Sequence, residues 1–162
     1  MSLDGQELRQ VMRRWATGVS VVTAGAGSAR HGITVNSFSS LSLDPPLCLI
    51  CIDAKTRAHT AIPAAGGFTV NLLAAGQEDV SARFAGRRPD LADPFDGLAL
   101  GAAPSGHPVI EGSLGYLDCS LQAQLPGGDH TIFVGLVRHA ATFDDRPPLL
   151  FFGGGYRSLV PR

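Results

Sequence analysis

Residues 31–52, HGITVNSFSSLSLDPPLCLICI, set two kinds of chemistry side by side. In the first half, Thr34, Asn36, Ser37, Ser39, Ser40 and Ser42 sit among β-branched and aromatic residues. Short hydroxyl and amide side chains carry donors and acceptors at little conformational cost and compete with backbone hydrogen bonds, so they favour turns. Their density exceeds what a core needs and points to a polar ligand lying against backbone and hydroxyls. Pro45 and Pro46 close the loop, and residues 47–52 read as a strand that is apolar on both faces and therefore central. Cys48 and Cys51 have C-x-x-C spacing, but strand residues three apart face opposite ways, so the pair shares neither a metal nor a disulfide. Cys48 and Cys119 are read as packing residues.

Outward from this stretch, elements follow from periodicity. Leu8, Val11, Met12 and Trp15 recur at i, i+3, i+4 and i+7 behind an Asp4–Glu7 capping box, which predicts an amphipathic helix ending near Gly18. Residues 19–23 and 32–36 flank a glycine-rich turn and predict a hairpin. Asp53 or Thr56 is a candidate N-cap for a short helix carrying Ala58, Ala61 and Ile62 and stopped by Pro63. Residues 68–73 predict a strand, and 77–85 a helix with Val80 and Phe84 on one face. Residues 86–113, rich in Pro, Gly and Asp, predict a long surface excursion, after which strands resume at 117–125, 131–143 and 149–152. Six or seven strands with short helices between them predict a mainly β, α+β chain built as an antiparallel barrel with helical additions. A doubly wound parallel sheet would need a helix of about a dozen residues between successive strands, and that spacing occurs once or twice.

The chain's 162 residues fit one domain, 1–162, and a domain of this size buries roughly 70% of its unfolded surface. Charged residues make up 17% and hydrophobic ones 44%, which excludes disorder, and no apolar run approaches the ~20 residues of a membrane span. A net charge of −1 without a basic stripe argues against nucleic acid as a partner. The start Met1-Ser2-Leu3-Asp4 has no basic region followed by an apolar stretch, so the expected compartment is cytoplasmic. G-x-S-x-G, P-loop, H-E-x-x-H and G-x-G-x-x-G signatures are absent, and the five histidines do not cluster, so no metal is expected. Gly153-Gly154-Gly155 follows a strand but precedes no helix pattern, and reads as a turn.

Three positions remain. Lys55, the one lysine among thirteen basic residues, stands with Thr56 where a strand turns into a helix start, a place that favours anions. It is either a phosphate site, with Arg57 and Arg83 adding charge, or a solvated cap. Asn71 and Gln77 bracket a strand end, where amides suit either a turn or the edge of a flat heteroaromatic ring. His130 follows the tight turn Gly127-Gly128-Asp129 and is either a surface residue or a nicotinamide contact.

Four segments resemble the short-chain flavin reductases, the small reductase components of two-component flavin-dependent monooxygenases. They are residues 34–47 (TVNSFSSLSLDPPL), 68–73 (FTVNLL), 81–84 (SARF) and 128–135 (GDHTIFVG), in register from Trp15-Ala16-Thr17-Gly18-Val19 to Tyr156-Arg157. The resemblance implies an FMN-binding split β-barrel with a Greek-key-like antiparallel sheet, normally a homodimer. It also implies reduction of FMN or FAD by NADH or NADPH and release of reduced flavin to a monooxygenase. By position, Thr34, Val35, Asn36, Ser37, Cys51, Ile52 and Asp53 would flank the flavin ring and ribityl chain. Lys55 and Thr56 would bind phosphate, Arg83 and Phe84 would close that region, and Asn71, Leu72, Ala75 and Gln77 would meet the ring or chain. His130, Tyr156 and Arg157 would serve the nicotinamide nucleotide. Many relatives carry a basic residue before the final Tyr-Arg, whereas this chain has Phe151-Phe152-Gly153-Gly154-Gly155. A flavin-binding electron carrier of the same fold, without nicotinamide turnover, is the alternative. A pyridoxamine-phosphate oxidase shares the barrel but finds no support in these motifs.

Overall fold

The capping box read from Asp4 and Glu7 forms as expected. The computed structural model describes residues 3–143 and 145–159; the start Met1-Ser2 and the last three positions of the expected 1–162 domain lie outside the described residues. The Asp4 carboxylate accepts from the N–H groups of Gln6 and Glu7 at 2.7 and 2.8 Å, and Glu7 accepts from the Asp4 N–H at 3.1 Å. These bonds satisfy the free donors of helix α1 (Gly5–Met12). The helix ends at Met12 rather than near Gly18, because Thr17 and Gly18 are drawn into a short strand, β1 (Thr17–Gly18), by pairing with residues 150 and 151. Its apolar positions stay exposed: Leu8, Val11 and Met12 are each half or more accessible.

Strands β2 (Ser20–Ala24) and β3 (His31–Val35) make the expected hairpin, in register from Ser20↔Val35 to Ala24↔His31. The serine-rich run is itself a strand, β4 (Ser39–Leu43), paired with β5 (Pro46–Asp53) across a turn whose Asp44–Pro45 peptide is cis. In β5 Cys48, Ile50 and Ile52 are buried and Leu47, Leu49 and Cys51 half-buried, so Cys48 and Cys51 do face opposite ways. Helix α2 (Ala58–Ala65) runs through Pro63 and stops at Gly66, which adopts the left-handed φ of 70°. A proline inside a helix removes one internal hydrogen bond. Burial of Ala58 and Ile62 holds this short helix across that gap. Strand β6 (Gly67–Leu72) and helix α3 (Glu78–Phe84) follow.

The 86–113 segment differs from the expected surface excursion. It forms a hairpin, β7 (Leu100–Ala102) and β8 (Pro108–Ile110), and buries Phe95, His107, Val109 and Ile110. Long strands β9 (Gly115–Gly127) and β10 (His130–Thr142) come next, then β11 (Leu150–Phe152) and β12 (Gly155–Arg157), which with β1 form a small sheet.

The main sheet has seven strands, all pairs antiparallel, in the order β3-β2-β6-β9-β10-β5-β4. Val35 near one end of that order and Ile50 and Ile52 near the other belong to one core with Phe68, Val70, Phe133 and Ile62, so the sheet curls around its contents. A second core joins Val19, Val21, Leu73, Phe84, Phe95, Ile110 and Leu149. Cys48 and Cys119 approach to 3.6 Å between sulfurs; the neighbouring Cys48 thiol and burial push the Cys119 thiol up, so it stays protonated.

Gly135 on β10 sits between them because nothing larger fits. A Cβ there would lie 2.7 Å from Phe68 Cζ and 2.8 Å from Cys119 Cβ. Gly135→Ala is expected to lower stability by about 1–3 kcal/mol through overpacking, read as a lower urea midpoint; an unchanged midpoint would contradict this packing.

Candidate active site

A groove opens where the end of β3 meets α3 and β12. Three hydrogen-bonding side chains fix its walls. The Thr34 hydroxyl donates to the Ser81 carbonyl at 2.7 Å, and the Tyr156 hydroxyl donates to Ser81 Oγ at 2.9 Å, which ties β3 and β12 to the same buried residue of α3. Ser37 Oγ donates to the Cys51 carbonyl at 2.9 Å and accepts from the Cys51 N–H at 3.2 Å, pinning the chain after β3 against β5. The central cavity, about 180 Å³, is lined by Thr34, Val35, Asn36, Ala85, Phe151 and Tyr156 among others. Through Val19 and Asn36 it adjoins a hollow of about 410 Å³ that includes Thr17, Phe38 and Leu72. Through Thr34 and Ala85 it adjoins another of about 600 Å³ that includes Thr56, Arg57, Arg83, Phe84 and Arg88. Thr17 Oγ1 is buried without a hydrogen-bond partner beside the first hollow.

The second hollow has a basic rim. Arg83 donates to Asp79 at 2.7 Å and to the Asp96 carbonyl at 2.6 Å, so this guanidinium clamps α3 to the following loop. Arg88 pairs with Asp79 and Asp90, and the hydrogen bonds from Arg83 and Arg88 hold those two carboxyls below the ordinary range. Arg57 and Arg87 have no side-chain partner among the described residues. Burial, helped by the Arg57 charge, lowers the His31 pKa and keeps its imidazole neutral.

The β5–α2 turn is built by Asp53. Its carboxylate accepts from the Lys55 N–H at 2.8 Å, and its carbonyl accepts from both the N–H and the hydroxyl of Thr56, at 3.0 and 2.8 Å. Neither Asp53 nor Thr56 caps α2, whose first flanking residue is Arg57 with no side-chain cap. Asp53 is also the strand partner of His130, and the Ala54 N–H donates to the Asp129 carbonyl at 3.0 Å. The His130 Nδ1 lies 2.7 Å from Asp129 Oδ1; this bond first, then the His130 and Lys55 charges, lower the Asp129 pKa. His130 is thus connected to the groove through the Asp53–Thr56 turn and does not line it with Tyr156. Arg157 donates to the carbonyl of Tyr156 at 2.7 Å, on the outside of β12.

Two expected flavin contacts turn out to be structural. Asn71 is fully buried: its amide nitrogen donates to the Val21 carbonyl and Thr23 Oγ1, and its oxygen accepts from the Ile110 N–H at 2.8 Å. Gln77 accepts from the Ala74 N–H at 2.9 Å and donates to the Glu111 carbonyl at 3.2 Å. Asn71 within β6 ties β2 to the 110 segment, and Gln77 at the start of α3 ties Ala74 to Glu111. Ala75 is half-buried, with its N–H on the Pro147 carbonyl at 2.8 Å, and Ile52 points into the core. Sequence reading gave no role to Ser81, Ala85, Arg87, Phe151 or Thr17. The signal for Ser81 and Ala85 was their spacing, one helical turn apart beside Phe84.

No helix among the described residues is long and apolar enough to cross a membrane, and no group of three or more His, Cys, Asp or Glu among them is placed to hold a metal. Asn71→Ala strands the Ile110 N–H in the core and is expected to cost roughly 2–4 kcal/mol of stability in urea unfolding. A loss of flavin affinity with stability unchanged would return Asn71 to the ligand.

The model for a flavin reductase like domain matches residues 12–160. The reductase component of 4-hydroxyphenylacetate 3-monooxygenase from Thermus thermophilus is 41% identical over 155 residues, covering 96% of this chain and 97% of that protein. An NADH-dependent FAD reductase from Streptomyces globisporus is 43% identical over 161 residues, covering 98% and 87%. Among solved structures, the Streptomyces globisporus NADH:FAD oxidoreductase SgcE6 superposes with a TM-score of 0.89 at 38% identity, covering all of this chain and 93% of that one. Together with an antiparallel, mainly β architecture, these matches establish that the chain belongs to the flavin reductase-like family.

Proposed function

We propose that this protein is an NAD(P)H:flavin oxidoreductase. It reduces FMN or FAD and passes the reduced flavin to a monooxygenase, working as a single-domain split barrel, a homodimer and a cytoplasmic protein. The observation that carries the reading is the groove itself: apolar Val35, Ala85 and Phe151, a hydroxyl and amide edge at Thr34 and Asn36, and arginines at one end. A flat heteroaromatic ring bearing a phosphate tail needs that combination. The unpartnered buried hydroxyl of Thr17 supports a ligand beside it. Relatives named for NADH-dependent FAD and FMN reduction and for monooxygenase reductase components support the reaction and its recipient. Exposed Leu41 and Leu43, on the β4 edge of the sheet, support burial against a second copy.

Thr34, Val35, Asn36 and Ser37, with Cys51 and Asp53 behind them, would hold the ring and chain of the flavin, and Leu72 and Ala75 would border it. Thr56, Phe84 and the Arg83 clamp shape the phosphate end, where Arg57 and Lys55 supply free charge. When bound, the flavin supplies N5 as acceptor for the hydride leaving nicotinamide C4. The chain's own contribution is orientation, holding two rings about 3–3.5 Å apart and presenting donors to the ring edge. No nucleophile is required. The hydroxyls of Thr34 and Ser37 already donate to carbonyls, and Cys48 and Cys119 are buried. The Asp129 carboxylate holds His130 through Nδ1, and from beside the Asp53–Thr56 turn His130 would contact the nicotinamide nucleotide, while Tyr156, with Arg157 behind it, would contact it from the cavity wall.

Steady oxidation of NADH or NADPH on adding FMN or FAD is the expected result in an absorbance assay. Flavin binding without nicotinamide turnover would make the protein an electron carrier instead. His130→Ala is expected to raise the KM for the nicotinamide nucleotide about five- to tenfold, as for one lost hydrogen bond, with flavin affinity unchanged. Identical nucleotide kinetics would remove His130 from the site.

A further inference from the structure

The central cavity of the groove holds one ionised side chain. Among the described residues that line it, Arg87 alone carries a charge, and no carboxylate stands with it. The neighbouring rim arginines are occupied: Arg83 by Asp79 and the Asp96 carbonyl, Arg88 by Asp79 and Asp90. Arg87 has no side-chain hydrogen bond or ion pair among the described residues, so its guanidinium keeps its donors for a ligand.

The end of α3 explains why Arg87 and Arg88 go different ways. The Gly86 N–H donates to the Arg83 carbonyl at 3.2 Å and the Arg87 N–H to the Ala82 carbonyl at 2.9 Å, with Gly86 at a left-handed φ of 69°. In this helix-ending motif a glycine folds the chain back onto the last turn. The Arg87 backbone is thereby fixed between Gly86 and Arg88, which both line the phosphate-end hollow, while Arg87 itself lines the central cavity. Thr34 and Ala85 line both spaces, so Arg87 stands at the passage from the cavity to the phosphate end.

The chemistry of a flavin decides what a cation at this passage meets. The ribityl chain leaves the ring at N10, on the same long edge as N1 and opposite N5. A ring whose chain runs into the phosphate-end hollow therefore turns N1 and the C2 carbonyl toward Arg87. A hydride moved from nicotinamide C4 to flavin N5 carries two electrons and one proton, so the nicotinamide becomes a cation and negative charge develops at N1 and the C2 oxygen. A charged donor held where charge develops stabilises the transition state and the reduced ring more than the oxidised ring.

We propose that Arg87 is a catalytic residue of flavin reduction, its guanidinium pairing with the N1 and C2 carbonyl edge so that reduced flavin is bound in preference to oxidised flavin. The proposal rests on the flavin reading of the groove. Arg57, which lines the phosphate-end hollow and not the central cavity, is left for the phosphate.

The test is anaerobic titration of the whole protein with oxidised and with reduced FMN and FAD, together with the two-electron potential of the bound flavin. Arg87→Gln is expected to leave the affinity for oxidised flavin nearly unchanged and to weaken that for reduced flavin about tenfold, as for one charge-assisted hydrogen bond. The same tenfold lowers the potential of bound flavin by about 30 mV. Arg87→Lys, which keeps the charge, is expected to retain the preference for reduced flavin. Equal weakening of both forms by Arg87→Gln, with the potential unmoved, would make Arg87 a phosphate contact and overturn the proposal while the flavin site stands. Unchanged affinities for both forms would overturn it as well. If the unmodified protein binds neither form, the flavin reading fails and the proposal with it.

Discussion

The double attachment of Ser81 organises the groove. Its carbonyl takes the Thr34 hydroxyl and its own hydroxyl takes that of Tyr156, so a strand of the main sheet, a helix and a strand of the small sheet converge on one buried residue. Hydrogen bonds of this kind contribute only about 1 kcal/mol each, but buried partners left unmade lose more than they contribute when made. The groove's width therefore follows from where α3 sits. That in turn follows from Phe84 and Val80 packing with Phe95, Ile110 and Leu149 in the second core. The absence of a side chain on Gly32 lets Phe84 approach β3 closely enough for the contact to form.

Buried polar groups carry the rest of the positioning. Thr23 donates to the Pro108 carbonyl at 2.6 Å, Asn71 links β2, β6 and the start of the 110–113 turn, and Asp118 accepts from Thr69, from the Ser105 N–H and from the Ser105 hydroxyl. These contacts stitch the 103–110 segment onto the sheet and so support α3 from behind. A buried polar group that satisfies all its partners fixes geometry more tightly than apolar packing alone. At the basic rim the carboxylates of Asp79, Asp90 and Asp93 each take an arginine, and Arg57 and Arg87 have no side-chain partner among the described residues.

Much of this was legible in the sequence where a local rule and the tertiary structure agree. The Asp4–Glu7 capping box, the β2–β3 hairpin and the opposed faces of Cys48 and Cys51 all follow from short-range stereochemistry. Where a partner far along the chain decides, local pattern is silent. Strands β1 and β12 are two and three residues long and exist through pairing with β11, and β4 is a polar edge strand whose Ser-Ser-Leu-Ser-Leu sequence hides any alternation. The 86–113 segment looks loop-like in composition, yet places Phe95 and Ile110 in a core. For the site, Thr34, Val35, Asn36, Thr56 and Phe84, expected around a flavin from the family resemblance, line the cavity and its adjoining hollows, as does Tyr156, expected at the nicotinamide nucleotide. Asn71 and Gln77 were drawn toward the ligand because an amide at a strand end looks the same whether it caps a loop or meets a ring. Ser81 was given no role because its spacing to Ala85, one helical turn on beside Phe84, does not reveal that Thr34 and Tyr156, far along the chain, both bond to it.

The central claim is that flavin lies in the groove between β3, α3 and β12. Following backbone amide resonances while FMN or FAD is added tests it most directly. The account predicts the largest shifts at Thr34, Asn36, Ala85, Arg87 and Tyr156, the residues around the central cavity. Largest shifts at Ser105, His107 and His139, which line a separate cavity of about 260 Å³, would contradict it.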